Sequence, residues 1–160
     1  MDQPQEVTRI PLAFYRNAFC CGKENDRGLH ANFFIEGDEV RGEYSPTQNL
    51  CGYPHIVHGG ILATLVDEAM FWAATRANKK FCYAVSVNVR YKQPVPVGEK
   101  ILICAREKER IRNIVVIEGT IMNKERKVLV KSEGKYFPFT DEQDAQARKD
   151  MQIYEDGYPF

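Results

Sequence analysis

Apolar residues crowd positions 59–78 on nearly every side. The run Gly-Gly-Ile-Leu-Ala-Thr-Leu-Val-Asp-Glu-Ala-Met-Phe-Trp-Ala-Ala-Thr-Arg-Ala-Asn is rich in Ala, Leu and Met and free of proline, which predicts a helix. It has no charged stripe of the kind a solvent-facing helix carries, so the rest of the chain is expected to enclose it. Elsewhere the apolar period shortens to two. Residues 31–36 and 39–44 flank Gly37-Asp38 and predict a hairpin. Residues 81–92, 100–109, 114–123 and 128–137 read as four strands. In the first of these, Tyr83, Val85, Val87, Val89 and Tyr91 fall on one face and Cys82, Ala84, Ser86, Asn88 and Arg90 on the other. Pro94, Pro96 and Gly98 end that strand, Asn123 opens a turn, and an antiparallel meander of the four is expected.

The connecting stretches read as loops. Residues 1–30 are turn-rich, with 21–29 closed at both ends by glycine, and 45–57 form a long loop holding two prolines. Thr140 and Gln143 match a capping box opening a short helix through about Met151, in a polar tail over 140–160 to which we assign no chemistry. The fold class is therefore α+β, a curved antiparallel sheet wrapped around one long central helix.

Composition narrows the function classes. With 160 residues the chain makes one domain. Its 22 Lys+Arg balance 22 Asp+Glu, so it has no global field to gather nucleic acid or coat an anionic membrane. No apolar run approaches the roughly 20 residues that span a bilayer. The opening Met-Asp-Gln-Pro-Gln-Glu has no basic and apolar signal pattern, and five cysteines without framework spacing suit a reducing compartment. A cytoplasmic location is expected.

Two features of the helix carry chemistry. Asp67 and Glu68 lie in the middle of the most apolar element of the chain, where an unpaired carboxylate costs several kcal/mol. At the helix start, His58-Gly59-Gly60 offers close backbone approach, free N–H groups and the positive end of the helix dipole, which together suit a developing oxyanion. Eight residues separate Gly59 from Asp67, about 12 Å along an ideal helix, too far for both to reach one carbonyl group. A two-fold dimer with antiparallel helices would bring the Asp67 of one copy toward the Gly59 of the other.

The segments 58–74 (His-Gly-Gly-Ile-Leu-Ala-Thr-Leu-Val-Asp-Glu-Ala-Met-Phe-Trp-Ala-Ala), 84–98, 21–29 and 134–137 resemble the hotdog-fold acyl-CoA thioesterases. The likeness is to the His-Gly-Gly helix branch, which takes in phenylacetate-pathway and hydroxybenzoyl-CoA thioesterases, and it covers residues 15–137 as the core of one domain, 1–160. It implies a homodimer or dimer of dimers that hydrolyses an acyl-CoA thioester at the subunit interface. No metal and no cofactor are expected, coenzyme A being part of the substrate. Residue by residue, the resemblance makes Gly59 the oxyanion donor and Asp67 the nucleophile or general base. The Asn or Gln that relatives carry falls on Gly52, with Asn49 the nearest amide, and their Ser or Thr falls near Ala84 or Val85, with Ser86 the nearest hydroxyl.

The remaining candidates have competing readings. His58 either joins the catalytic group or is a structural hydrogen-bonder, and Gly60 adjoins the substrate. Asn49, Ser86, Asn88, Arg90 and Lys92 are candidate substrate contacts, the last two as point charges for the CoA phosphates or as ordinary strand-end bases. Glu68 reads as a salt-bridge or interface residue, and Phe71-Trp72 as packing before acyl pocket. Cys51, His55 and His58 do not make a familiar zinc pattern. The rival function is a non-catalytic acyl-thioester binding protein of the same fold; a hydratase would need a His–carboxylate pair.

Overall fold

A computed structural model describes residues 8–154 and 157–159; the opening six residues, read above as carrying no signal pattern, lie outside them. The strands are β1 (Arg9–Pro11), β2 (Phe14–Tyr15), β3 (Asn32–Glu36), β4 (Glu39–Tyr44), β5 (Cys51–Tyr53), β6 (Ile56–Val57), β7 (Cys82–Tyr91), β8 (Ile101–Ile111), β9 (Ile114–Met122), β10 (Val128–Pro138) and β11 (Met151–Gln152). The helices are α1 (Gly59–Asn78) and α2 (Asp141–Asp150). Seven strands form one antiparallel sheet in the order β1-β3-β4-β8-β9-β10-β7, and α1 lies across it against β4, β7, β8, β9 and β10.

The helix is enclosed as its pattern requires. Leu62, Leu65, Val66, Ala69, Met70, Trp72 and Ala74 are buried among Val40, Ile103, Ile117, Ile121 and Val130 of the sheet. His58 caps its start and Lys79 ends it in the left-handed conformation, φ 54°. The hairpin turns at Gly37, φ 66°, and α2 opens with the full capping box of Thr140 and Gln143. No helix among the described residues is long and apolar enough to cross a membrane.

Two expectations are corrected. The four strands are not one continuous meander: β8, β9 and β10 are, but β7 pairs with β10 at the sheet edge rather than with β8. The cause is the connection 92–100, which binds the 45–57 loop instead of folding back. Val57 N–H donates to Val95 O (2.9 Å), Val97 N–H to His55 O (3.0 Å) and Gly98 N–H to Pro46 O (2.7 Å). That loop is itself partly ordered, with a 3-10 turn at Gln48–Leu50 and the pair β5–β6.

The second correction concerns the faces of β7. A bulge between Lys135 and Tyr136 places Val87, Val89 and Tyr91 opposite the inward residues Gly134, Ser132 and Val130, but Ala84 opposite Tyr136. The alternation therefore slips by one residue at Val85. Cys82 and Ala84 turn to the helix side, while Tyr83 stacks at a tilt on Phe137 and Phe139 (centroids 5.7 and 6.1 Å). A one-residue slip exchanges the faces of everything beyond it.

Candidate active site

The start of α1 is tied to the loop before it. His58 N–H donates to Leu50 O (2.8 Å), and the His58 Nδ1 accepts from the Gly60 N–H (2.9 Å). Histidine thus does the work of a helix N-cap, and the Gly60 amide is occupied within the chain. The Gly59 N–H makes no hydrogen bond among the described residues, whereas its carbonyl accepts from the Tyr91 Oη–H at 2.8 Å. A Cβ on Gly59 would stand 3.2 Å from the Tyr91 ring. The result is one unpaired amide at the positive end of a 20-residue helix, the electrostatic setting for an anionic oxygen.

Two turns further on, Asp67 is half-buried, and its Oδ1 accepts from the Tyr136 Oη–H at 2.6 Å. Tyr136 is fully buried. Burial and the adjacent Asp67 charge push its phenol far above the ordinary range, so it remains a hydrogen-bond donor. Gly134 makes room for its ring, since a Cβ there would fall 2.5 Å from the ring edge.

Beside Asp67, the Glu68 Oε1 accepts from Cys21 Sγ–H (3.2 Å) and Trp72 Nε1–H (3.1 Å). The sequence reading of Glu68 as a salt-bridge residue is corrected here: among the described residues its partners are a thiol and an indole. Burial outweighs both bonds and raises its carboxyl above the usual range. Burial and the Glu68 charge likewise raise both the Cys20 and the Cys21 thiol, which stay protonated.

Asp67 and Glu68 open on one cavity of about 300 Å³, lined otherwise by Tyr15, Ala18, Cys21, Phe71, Trp72, Ala84, Tyr136 and Met151. A carboxylate fixed by a buried donor at the wall of an apolar cavity can attack, or draw a proton toward, an electrophile seated there. Gly59 lies two turns away at the start of the same helix, so one copy of the chain does not bring the two together.

The chain matches the Thioesterase superfamily over residues 55–130. The core has the hotdog fold. A solved thioesterase superfamily protein superposes with a TM-score of 0.70 at 25% identity, over 76% of this chain and 60% of that one. An uncharacterized protein of Schizosaccharomyces pombe is 38% identical over 52 residues, 32% of this chain and 30% of that one. The chain thus spans less than two thirds of either relative. A thioesterase of Haemophilus influenzae (TM-score 0.66, 18% identity, 79% of this chain, 94% of that one) shares the fold. So does a Streptococcus mutans protein solved with acetyl-CoA (0.60, 15%, 86% and 97%).

Within this hotdog domain the other candidates sit apart from Asp67. Ser86, Asn88, Arg90 and Lys92 share the outer face of the sheet with Lys131, Glu133 and Lys135, around an open polar hollow. Asn49 is exposed on the 3-10 turn and accepts a hydrogen bond from Thr47 Oγ1. At position 52 there is no room for a side chain, because a Cβ would meet the His58 ring at 2.7 Å. Among the described residues no three His, Cys, Asp or Glu side chains gather as metal ligands do.

Three residues of the site escaped the sequence reading: Tyr136, which holds Asp67, Tyr91, which holds the helix start, and Cys21, which holds Glu68. For Tyr136 a signal existed. In Val130-Lys-Ser-Glu-Gly-Lys-Tyr136 the phase that faces the helix ends on a tyrosine, and a buried tyrosine needs a partner for its hydroxyl.

Proposed function

We propose that the protein is an acyl-CoA thioesterase, hydrolysing the thioester to free acid and CoA at two equivalent sites of a homodimer. The observation that carries this reading is the Asp67 carboxylate, tethered by Tyr136 at 2.6 Å on the wall of an apolar cavity. The thioester carbonyl oxygen would rest against the Gly59 N–H of one copy while Asp67 of the other attacks its carbon, or takes a proton from the water that does. The C–S bond then breaks and CoA leaves as its thiolate; where Asp67 is the nucleophile, water next cleaves the acyl–Asp67 anhydride, releasing the acid and restoring the carboxylate. His58 holds the helix start and Gly60 lines it. The reaction needs neither metal nor added cofactor.

The need for a second copy is supported by β7. Among the described residues it forms the sheet edge and pairs only with β10, and it exposes Tyr83, Val85, Val87 and Tyr91 along ten residues. An open edge of that length invites a strand from another copy, and the two-fold pairing sets two α1 helices side by side. A dimer of dimers is the alternative assembly; Arg90 and Lys92 beside that edge suit the CoA phosphates, with Asn49, Ser86 and Asn88 as further contacts on the same reading.

A second reading, a hotdog protein that binds acyl-CoA without hydrolysing it, is favoured by two features: Gly52 leaves no amide side chain at the helix mouth, and Ser86 faces outward. Thiol release from a panel of acyl-CoA esters, with binding followed by calorimetry, separates the two. Asp67→Asn keeps an acceptor for Tyr136, so the variant should fold and self-associate as the parent does while turnover falls at least about 10²-fold. Undiminished turnover removes Asp67 from the mechanism, and binding without thiol release establishes the second reading.

A further inference from the structure

The cavity at Asp67 has a neighbour. A second cavity of about 240 Å³ lies under the amino-terminal segment, walled by Pro11, Leu12, Phe14, Phe33 and Phe34, with Arg9 and Lys23 at its rim. The two cavities have two lining residues in common, Cys21 and Trp72. Those are the two side chains whose donors converge on one oxygen of Glu68, at 3.2 and 3.1 Å. Trp72 is further wedged by edge-on contacts with Phe71 (5.0 Å) and Phe81 (5.9 Å).

We propose that Trp72, with Cys21 beside it, is the depth stop of the acyl site, and that Glu68 is the positioning residue that holds the stop closed. The inference rests on the acyl-CoA reading and adds its substrate class: short or compact acyl groups that end against the indole. Phe71 lies one turn on from Asp67 and Trp72 one turn on from Glu68, and both line the cavity that an acyl chain held by its carbonyl at Asp67 would enter, so the chain runs into the partition. The second cavity is the apolar space a longer tail would enter if the partition were gone. Glu68 suits this role because its buried carboxyl accepts from both wall residues at once; a hydrophobic residue there would remove the acceptor that the indole and the thiol share.

The test is the chain-length profile for straight-chain acyl-CoA esters, read as kcat/KM, together with calorimetric binding of the corresponding non-hydrolysable thioethers. In the parent, each added methylene should improve binding about fourfold until the chain reaches Trp72, after which affinity should drop. Trp72→Ala should move that cut-off at least two carbons longer. Because loss of a buried tryptophan can unfold the domain, Cys21→Ala, which thins the other half of the partition, provides the second variant, and Glu68→Ala the third. Glu68→Gln, which keeps an acceptor for both donors, should retain the parental cut-off.

Folded Cys21→Ala and Glu68→Ala proteins with the parental cut-off would overturn the depth stop, as would a parent that shows no cut-off. Those results leave thioester hydrolysis standing. A parent that neither hydrolyses nor binds any acyl-CoA overturns both readings together.

Discussion

Replacing Tyr136 by Phe removes one hydroxyl and nothing else from the core. The ring keeps its place between Gly134 and the helix, but Asp67 loses the donor at 2.6 Å. A hydrogen bond to a charged group contributes about 1.5–3 kcal/mol. If that energy serves to keep the carboxylate in one orientation, its loss lowers the population of the productive rotamer by about 10- to 150-fold, each 1.4 kcal/mol being tenfold. The effect falls on the chemical step, so kcat should drop by that factor while KM stays within about threefold. Steady-state thiol release on the best acyl-CoA ester measures both constants, and a thermal melt shows whether the fold persists. A variant that melts near the parent and turns over within about twofold of it would refute the argument that Tyr136 positions Asp67. A fall in kcat that merely tracks the folded fraction would refute it equally.

The remaining predictions concern stability. Burial raises the Glu68 carboxyl in the folded protein, so the folded state holds that proton more tightly than the unfolded chain does. Its contribution is complete below the ordinary carboxylate value of about 4.3 and is lost as pH rises through the folded value. Urea denaturation of parent and Glu68→Gln across that range should show the variant gaining on the parent as pH rises; a constant difference would count against the raised carboxyl. Thr75 is fully buried on α1, and its hydroxyl has no hydrogen-bond partner among the described residues. Thr75→Val keeps the shape and removes the stranded hydroxyl, and should raise stability by about 1–2 kcal/mol in the same assay; a destabilised variant would show that the hydroxyl has a partner.

What the sequence disclosed about this domain follows the range over which its signals act. Helix α1 was legible to its ends because everything that defines it is local: a cap at His58, no proline over 59–78, and apolar residues on every side. The β3–β4 hairpin and the α2 capping box are equally local. The two-residue strands β2 and β11 pair across most of the chain and are too short to show a period.

The site divides in the same way. Asp67 stands out because a carboxylate in an apolar helix needs a reason, and that argument requires no partner to be known. Its tether to Tyr136 spans 69 residues, and the bulge opposite Lys135/Tyr136 carries Ala84 to the helix side. A period-two reading of β7 continues past a bulge, because a bulge inserts one residue without altering composition. That single slip divides the strand: beyond it Tyr83 leaves the helix side and Ala84 joins the cavity wall, while Ser86, on the near side, stays outside with Arg90 and Lys131. Hence the hydroxyl nearest in sequence to the place where relatives carry one is turned from Asp67, and the group that does reach this carboxylate is the phenol of a different strand. The Asp67 side of the site depends on pairing register more than on residue type, and register is the property that one strand read alone cannot supply.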